Sequence, residues 1–261
     1  MAKKKDKIGP EDSDVRGSEK LKFSRQENID TAEKRYGAYC LSVLTSRIIA
    51  VTVGKSKTFY LHSNILTTES EEFSKNLTSG FKESSEDAIE MEDENPELFG
   101  FFVEYLYRDC SILSREVQHY SEFVTLARLY AMGERLMAPK FQSYALWRFT
   151  ASLGTSSQIS EESLCDLLQI ACTEITERAR EDPMRSQIFW YAGTKITDLQ
   201  KFSMFRQMLG EVQDLGKHIC LWMNKSQPAK SSAPNETKYQ KFDPESEYGP
   251  LDPLEVTPKA E

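Results

Sequence analysis

The first regular pattern along the chain is a pair of β-branched runs around a short glycine-containing turn. Residues 48–53 read Ile-Ile-Ala-Val-Thr-Val and residues 58–61 read Thr-Phe-Tyr-Leu, with Gly-Lys-Ser at 54–56 between them. Two such runs around a short turn predict a β-hairpin. Residues 88–92 alternate apolar and polar positions, which predicts a third, half-buried strand.

Helices are predicted on both sides of that third strand. Ser63 is placed to cap a short helix that ends near Glu69, and a second short helix is predicted over 71–77. Residues 95–97 (Asn-Pro-Glu) supply an N-cap, a proline at the first helical position and an acid for the helix dipole. The run 98–107 is apolar almost all round, so we expect its helix to be central to a core.

The rest of the folded sequence has helical periodicity. Apolar spacing predicts one long helix over 117–131 and another that begins at Pro139, and Ser160 and Asp182 are placed to cap two more. Apolar residues then recur at steps of three and four in a single stripe: 202, 205, 209, 212, 215, 219 and 222. This stripe resembles a coiled-coil seam, and its simpler interpretation is one helix packed on its own subdomain.

These elements predict an α+β domain over 39–154, followed by an all-helical segment over 155–224. The two ends of the chain differ in composition from this folded part. Residues 1–38 are rich in charge, and residues 225–261 hold six of the ten prolines. Because such segments cannot bury enough apolar surface to fold, we expect a disordered N-terminal arm and a disordered proline-rich tail.

Net charge excludes several kinds of partner. The 261 residues include 33 Lys and Arg against 41 Asp and Glu, a formal net charge of −8. Phosphate contacts need clustered basic side chains, so nucleic acids and anionic membranes are poor partners. No run is apolar enough to span a membrane, and no apolar run follows the lysines at 3–5 and 7. We therefore expect an intracellular protein, cytoplasmic or nuclear, that is neither secreted nor membrane-bound.

Residues suited to catalysis or metal binding are few. The five cysteines (40, 110, 165, 172 and 220) form no Cys-x-x-Cys pair, so we expect reduced thiols packed as small hydrophobes and no metal site. We expect His62, at the end of a strand, to be a hydrogen-bonded core residue. His218, near the end of the last helix, is placed where a cation favours the dipole. Without a nucleotide-binding or hydrolase motif, the sequence predicts neither an enzyme nor a cofactor.

An acidic stretch follows the two short helices. Residues 83–97 contain eight acids and no basic residue, so we expect these acids to be unpaired. A solvated loop and helix N-terminus is the simplest interpretation, and the alternative is a surface that steers a basic partner. The candidate residues for that acidic partner surface are Glu86, Asp87, Glu92, Asp93 and Glu94.

The run over 58–73, TFYLHSNILTTESEEF, resembles the BTB/POZ signature of a strand, a buried histidine and spaced Leu, Ser and Phe. Segments 80–83, 88–91 and 95–107 continue the resemblance, which covers about residues 45–153. It implies the BTB/POZ fold, a small sheet flanked by a cluster of helices. The helical remainder is similar to the C-terminal extension of fungal BTB proteins, mainly through Asp-Pro-Met-Arg at 182–185.

The resemblance implies protein binding without catalysis, and homo-oligomers, since many BTB domains dimerise. One subgroup recruits a cullin scaffold of a ubiquitin ligase through a hydrophobic-x-Glu motif, and Phe81 and Glu83 stand at that position. Alternatively, Phe81 closes the domain's own core and Glu83 is solvated. The chain has Arg47 where many members carry an aspartate before the first strand. The implied function is an oligomerising scaffold or a cullin-type substrate adaptor, and the alternative is a nuclear transcription- or chromatin-associated cofactor.

Overall fold

The computed structural model describes residues 41–55, 57–78, 87–108, 120–153, 159–177 and 181–231. The strands among these residues form one sheet in the order β2-β1-β3. Strand β1 (Ile48–Val53) pairs antiparallel with β2 (Lys57–His62) and parallel with β3 (Ala88–Met91). The predicted hairpin and the predicted third strand are therefore confirmed.

A left-handed backbone at Gly54 forms the hairpin turn. Its φ is +55°, and a Cβ atom there would lie 3.0 Å from Cγ of Pro96. Glycine adopts this conformation without steric cost, and it alone leaves room for the proline ring. Gly54 thus lets the hairpin pack closely against the segment around Pro96.

Two short helices, α1 (Ser63–Glu69) and α2 (Glu71–Thr78), follow the hairpin. The prediction that Ser63 caps α1 is wrong, because His62 is the N-cap residue and makes no side-chain capping bond. Ser63 is the first helical residue, and its backbone N–H donates to the carbonyl of Arg47 at 2.8 Å. The carbonyl of Arg47, just before β1, therefore accepts an N–H group of the first turn of α1 that has no acceptor within the helix.

Helix α3 (Pro96–Arg108) begins as predicted, since Asn95 Oδ1 accepts the backbone N–H of Glu97 at 2.8 Å. Phe99 and Phe102 are fully buried. The prediction that this helix is central to a core is confirmed for that face, whereas on the other face Phe101 is only partly buried and Tyr107 is exposed. Apolar composition alone did not reveal that the neighbouring elements cover one side of α3.

Helices α4 (Tyr120–Arg135) and α5 (Pro139–Leu153) form a hairpin, and residues 117–119 of the predicted long helix lie outside the described residues. A Cβ atom on Gly133 would lie 3.0 Å from Cα of Gln142. The absence of a side chain at Gly133 therefore sets how closely α4 approaches α5. Phe123 and Phe149 pack edge to face between the same helices, 5.4 Å apart.

Five further helices follow, and two of them disprove the single-helix interpretation of the last stripe. They are α6 (Glu161–Thr173), α7 (Pro183–Thr194), α8 (Ile196–Leu199), α9 (Ser203–Glu211) and α10 (Leu215–Trp222). The stripe breaks at Val212, which is extended, and at Asp214, which is left-handed with a φ of 59°. Phe205 of α9 and Ile219 of α10 are both buried, so each of the two short helices packs on the core separately.

The later helices share one core with the earlier ones. Helix α6 packs against α4, α7 packs against α6, and α10 packs against α7. The caps predicted at Ser160 and Asp182 are confirmed. Asp182 is 3% exposed; its Oδ1 accepts the N–H groups of Met184 and Arg185, and its Oδ2 accepts the hydroxyl of Tyr130 at 2.8 Å. One carboxylate thus starts α7 and joins it to α4.

The chain continues beyond α10 along the surface of α7. Gln187 of α7 is buried, and its amide nitrogen donates to the carbonyls of Pro228 at 3.3 Å and Ala229 at 3.2 Å. These residues belong to the tail that the sequence predicts to be disordered, and they are held by α7. Residues 1–40 and 232–261 lie outside the described residues.

Replacing Asp182 by alanine is expected to destabilise the protein by about 2–4 kcal/mol. The variant loses an N-cap, which contributes about 1 kcal/mol, and a buried hydrogen bond to a charged acceptor, which contributes about 1.5–3 kcal/mol. Urea unfolding followed by circular dichroism measures the loss. Ser160→Ala is the matched control. The Ser160 side chain also caps a helix, by accepting the N–H of Ser163, but no described bond joins it to another helix as Asp182 is joined to Tyr130. Equal losses in the two variants would contradict the role assigned to Asp182.

Candidate interaction surface

The face of the sheet that points away from the core carries exposed apolar side chains. Ile49, Val51 and Val53 of β1 are buried, whereas Ile48 is 56% exposed. Ile48 pairs with His62, and the next residue on that face, Ala50, pairs with Tyr60. Tyr60 is therefore the diagonal neighbour of Ile48, and it is 72% exposed.

A helical turn at 41–44, just before β1, carries two further exposed apolar side chains. Leu41 and Leu44, three residues apart and hence on one side of the turn, are each 64% exposed. Asn64 of α1 holds the turn in place, since its side-chain amide donates to the carbonyl of Ser42 at 2.9 Å. The name "outer apolar face" is used below for Leu41, Leu44, Ile48 and Tyr60.

His62 connects the sheet to the end of α3. The hydroxyl oxygen of Tyr107 accepts the backbone N–H of His62 at 3.0 Å and lies 2.9 Å from Nδ1 of the same residue. The prediction that His62 is hydrogen-bonded is confirmed. The prediction that it is a core residue is wrong, because it is only partly buried. It packs at the rim of the sheet beside Ile48.

Arg47, just before β1, forms an ion pair with the residue before β3. Its Nη1 lies 2.7 Å from Oδ1 of Asp87, and the side chains are 43% and 49% exposed. Asp87 also accepts the backbone N–H of Ala50 through its carbonyl at 2.9 Å. The pair joins the start of β1 to the residue before β3, and its exposure makes it a weak contributor to stability.

Glu94 is paired more strongly, with Arg135 at the end of α4. Glu94 Oε1 lies 2.6 Å from Nε of Arg135 and Oε2 lies 2.9 Å from Nη2, a bidentate contact in which the Glu94 side chain is 9% exposed. The hydrogen bonds to Glu94 raise the pKa of Arg135, although burial opposes them. The expectation of unpaired acids is therefore wrong for Asp87 and Glu94, whose basic partners are 40 and 41 residues away.

The remaining residues proposed for partner binding are either exposed to solvent or outside the described ranges. Glu92 and Asp93 are exposed, and so are Glu90 and Glu97, which the sequence did not single out. Alternation along β3 could have identified Glu90, because it points away from buried Ile89. Phe81, Glu83 and Glu86 lie outside the described residues, so the cullin-type motif remains a prediction.

The thiols differ in their burial. Cys165 is buried and free, and burial raises its pKa to about 11, so its packing as a small hydrophobe is confirmed. Cys172 is partly buried, and burial raises its pKa as well. Cys220 is exposed, contrary to the expectation, whereas Cys40 and Cys110 are not among the described residues. Within the described part of the chain, no three metal-ligating side chains cluster.

His218 is not the dipole-favoured cation that its position predicts. Its Nε2 lies 3.2 Å from Nη2 of Arg185, and its ring stacks on Phe189 with centroids 4.9 Å apart. Burial, followed by the positive charge of Arg185, lowers the pKa of His218. The imidazole thus packs between α7 and α10, and the lowered pKa favours its neutral form.

A family model for the BTB/POZ domain matches residues 49–138, which include β2, β3 and helices α1 to α4. The chain therefore contains a BTB/POZ domain, and its α+β fold of a small sheet with many helices is confirmed. No curated protein matches the chain. BTB/POZ domains are generally non-catalytic protein-interaction modules. None of the helices among the described residues is long and apolar enough to cross a membrane.

Replacing each acid by its uncharged amide is expected to show that the two ion pairs differ in their contribution to the free energy of unfolding. Glu94→Gln should lower the free energy of unfolding by about 1–3 kcal/mol, because it weakens a bidentate contact at a nearly buried carboxylate. Asp87→Asn should cost less than about 1 kcal/mol, and its effect should disappear in about 1 M salt. Urea unfolding of both variants at low and high salt measures these differences. Equal costs that are equally sensitive to salt would contradict the different roles given to the pairs.

Proposed function

We propose that the chain is a non-catalytic interaction protein that self-associates through the outer apolar face. The observation that carries this proposal is the set of four apolar side chains, 56 to 72% exposed. Tyr60 lies within the residues that match the BTB/POZ model, and the other three lie just before them. Apolar surface concentrated in one patch favours protein contacts, because burial gains about 25 cal/mol per Å². A second copy offers the same surface.

The distribution of charge favours self-association at this face over other faces. A two-fold interface brings each residue near copies of the same set of residues, so a charged patch would repel itself. None of the four residues of the outer apolar face is charged. By contrast, Glu90, Glu92 and Asp93 would bring like charges together in a chain whose net charge is already −8.

Introducing two acids into the outer apolar face is expected to produce monomers. Light scattering of the full chain at about 10 µM should give twice the 29.9 kDa of one chain, and Leu44→Glu combined with Tyr60→Glu should reduce the mass to that of one chain. Both side chains are more than half exposed, so the fold is retained.

The matched control is Leu209→Glu combined with Leu221→Glu, which adds the same charge at exposed leucines of α9 and α10. This variant should keep the mass of the unsubstituted chain. A monomeric unsubstituted chain, or equal dissociation of both double variants, would contradict the proposal.

A second candidate function is recruitment of a cullin scaffold. It is supported by the order Phe81-Lys82-Glu83 inside the matched BTB/POZ region, between α2 and β3. An aromatic side chain that fills a pocket, next to a carboxylate that adds directional pairing, is a suitable anchor for a partner. The chain would then act as a substrate adaptor, with substrate bound outside the BTB/POZ domain.

Copurification with a cullin is expected to be lost in Phe81→Ala combined with Glu83→Ala. Lys82→Ala is the control, since it changes the same segment without removing either anchor. Mass by light scattering should be the same for both variants. Absence of cullin from the intact protein, or its retention by the double variant, would reject the adaptor function and leave self-association untouched.

The nuclear cofactor alternative rests on the lysines at 3–5 and 7. These residues lie outside the described ranges, and no described contact favours this alternative over a cytoplasmic scaffold.

A further inference from the structure

The residues that follow α10 form a short segment, 225–231, which we call the C-terminal strap. It has no regular secondary structure. At its start, Nζ of Lys225 lies 4.1 Å from the ring centroid of Trp222 and 3.9 Å from Oε2 of Glu181. The strap therefore begins at a point that is fixed both to α10 and to the residue before the cap of α7.

The strap covers one side of α7. Residues 184–189 of that helix are all buried, so neighbouring parts of the chain must cover it on every side. Gln187 is 1% exposed, and its amide nitrogen donates to the strap carbonyls of Pro228 and Ala229. The side of α7 at Gln187 is thus a surface that already receives a peptide segment through its backbone.

The contact between the strap and Gln187 is weak. Its two hydrogen bonds are 3.3 and 3.2 Å long, at the upper end of the range of about 2.7–3.2 Å for good N–H···O bonds. Gln227, Ala229 and Lys230 are exposed, and Pro228 is only partly buried. A segment that is held by long bonds and buries few side chains is easily displaced.

The strap also leaves half of the Gln187 side chain unsatisfied. Oε1 of Gln187 is buried and has no hydrogen-bond partner among the described residues. A primary amide can donate to a backbone carbonyl and accept a backbone N–H at the same time. Proline has no N–H, so residue 228 offers Gln187 an acceptor and cannot offer a donor. A buried acceptor without a partner is unfavourable, so a ligand that supplies the missing N–H gains affinity.

We infer that the side of α7 at Gln187 is a site for a peptide segment of a partner protein, which offers both a backbone C=O and a backbone N–H to the Gln187 amide. The C-terminal strap occupies this site in cis as a displaceable ligand. The inference rests on the proposed function as an interaction protein, but it uses a surface outside the BTB/POZ domain and not the outer apolar face.

The tether of the strap makes the site selective. Because Lys225 fixes the start of the strap, the strap competes at an effective concentration of about 1 mM. A peptide that makes only the bonds of the strap is therefore excluded at low concentration. A peptide that also satisfies Oε1 of Gln187 has the additional bond that displacement requires.

The test uses the full chain and two fluorescently labelled hexapeptides. One has the sequence of residues 226–231, Ser-Gln-Pro-Ala-Lys-Ser, and the other has alanine in place of proline. Fluorescence anisotropy measures both affinities. The alanine peptide should bind about fivefold more tightly, because a hydrogen bond to a buried acceptor outweighs the lost conformational restriction of proline.

The strap itself provides the reverse test. Pro228→Ala in the full chain gives the strap the missing N–H, so the alanine peptide should bind about fivefold more weakly than to the unsubstituted chain. Pro234→Ala is the matched control, because it makes the same change in the chain beyond the strap, and it should leave the affinity unchanged. Neither variant alters the helices that form the site.

The role of Gln187 is tested by Gln187→Met, which keeps the length of the side chain and removes both polar groups. It should abolish binding of the alanine peptide. Gln169→Met is the matched control, because it makes the same change at an exposed position of α6. Thermal unfolding followed by circular dichroism checks that both variants are folded. If Gln187→Met is unfolded, the two peptides and Pro228→Ala still test the site in its native form.

Three outcomes would overturn the inference: no binding of the alanine peptide at up to about 1 mM, equal affinity for the two peptides, and equal binding by folded Gln187→Met. A change of mass in light scattering when peptide is added would also overturn it, since the site would then hold the strap of a second copy. Leu44→Glu combined with Tyr60→Glu should bind the alanine peptide as the unsubstituted chain does. Failure of self-association and failure of this site are therefore distinguishable.

Discussion

The arrangement of the BTB/POZ domain depends on a cluster of phenylalanines around one face of α3. The ring centroid of Phe99 lies 5.2 Å from that of Phe59 in β2. The ring centroid of Phe102 lies 6.4 Å from that of Phe73 in α2 and 5.1 Å from that of Phe141 in α5. Burial of each ring contributes about 1.5–3 kcal/mol, and together the rings join the sheet to helices on both sides of α3 in the sequence. Because these contacts all use one face of α3, side chains on the opposite face such as Phe101 and Tyr107 are left partly exposed.

Features that depend on neighbouring residues could be predicted from the sequence. Asn95, Ser160 and Asp182 cap helices as expected, because a capping side chain bonds to backbone N–H groups two or three positions later. Ser63 has the same side-chain chemistry but lies one position inside α1, after the N-cap residue His62, and its N–H donates to the carbonyl of Arg47 just before β1. The final stripe failed for a related reason: its spacing fits a continuous helix, and tertiary packing of two shorter helices overrode it.

The candidate surfaces were less predictable, because they depend on what covers each residue. The run at 48–53 is almost continuously apolar, so its pattern does not predict that Ile48 and Ile49 face opposite sides of the sheet. Composition identifies the acidic stretch, but it does not show which acids are paired, since Arg47 and Arg135 are distant in sequence from Asp87 and Glu94. Long-range ion pairing thus distinguishes Glu94, whose side chain is nearly buried, from Asp87, which is paired but half exposed.

The hydroxyl of Tyr107 limits the motion of an exposed aromatic residue. Because it is hydrogen-bonded to both the backbone and the ring of His62, the phenol is anchored to the sheet although Tyr107 is 41% exposed. Rotation of the ring away from this position would break those bonds. A partner that contacts Tyr107 in this position therefore avoids the entropic cost of ordering a free aromatic side chain.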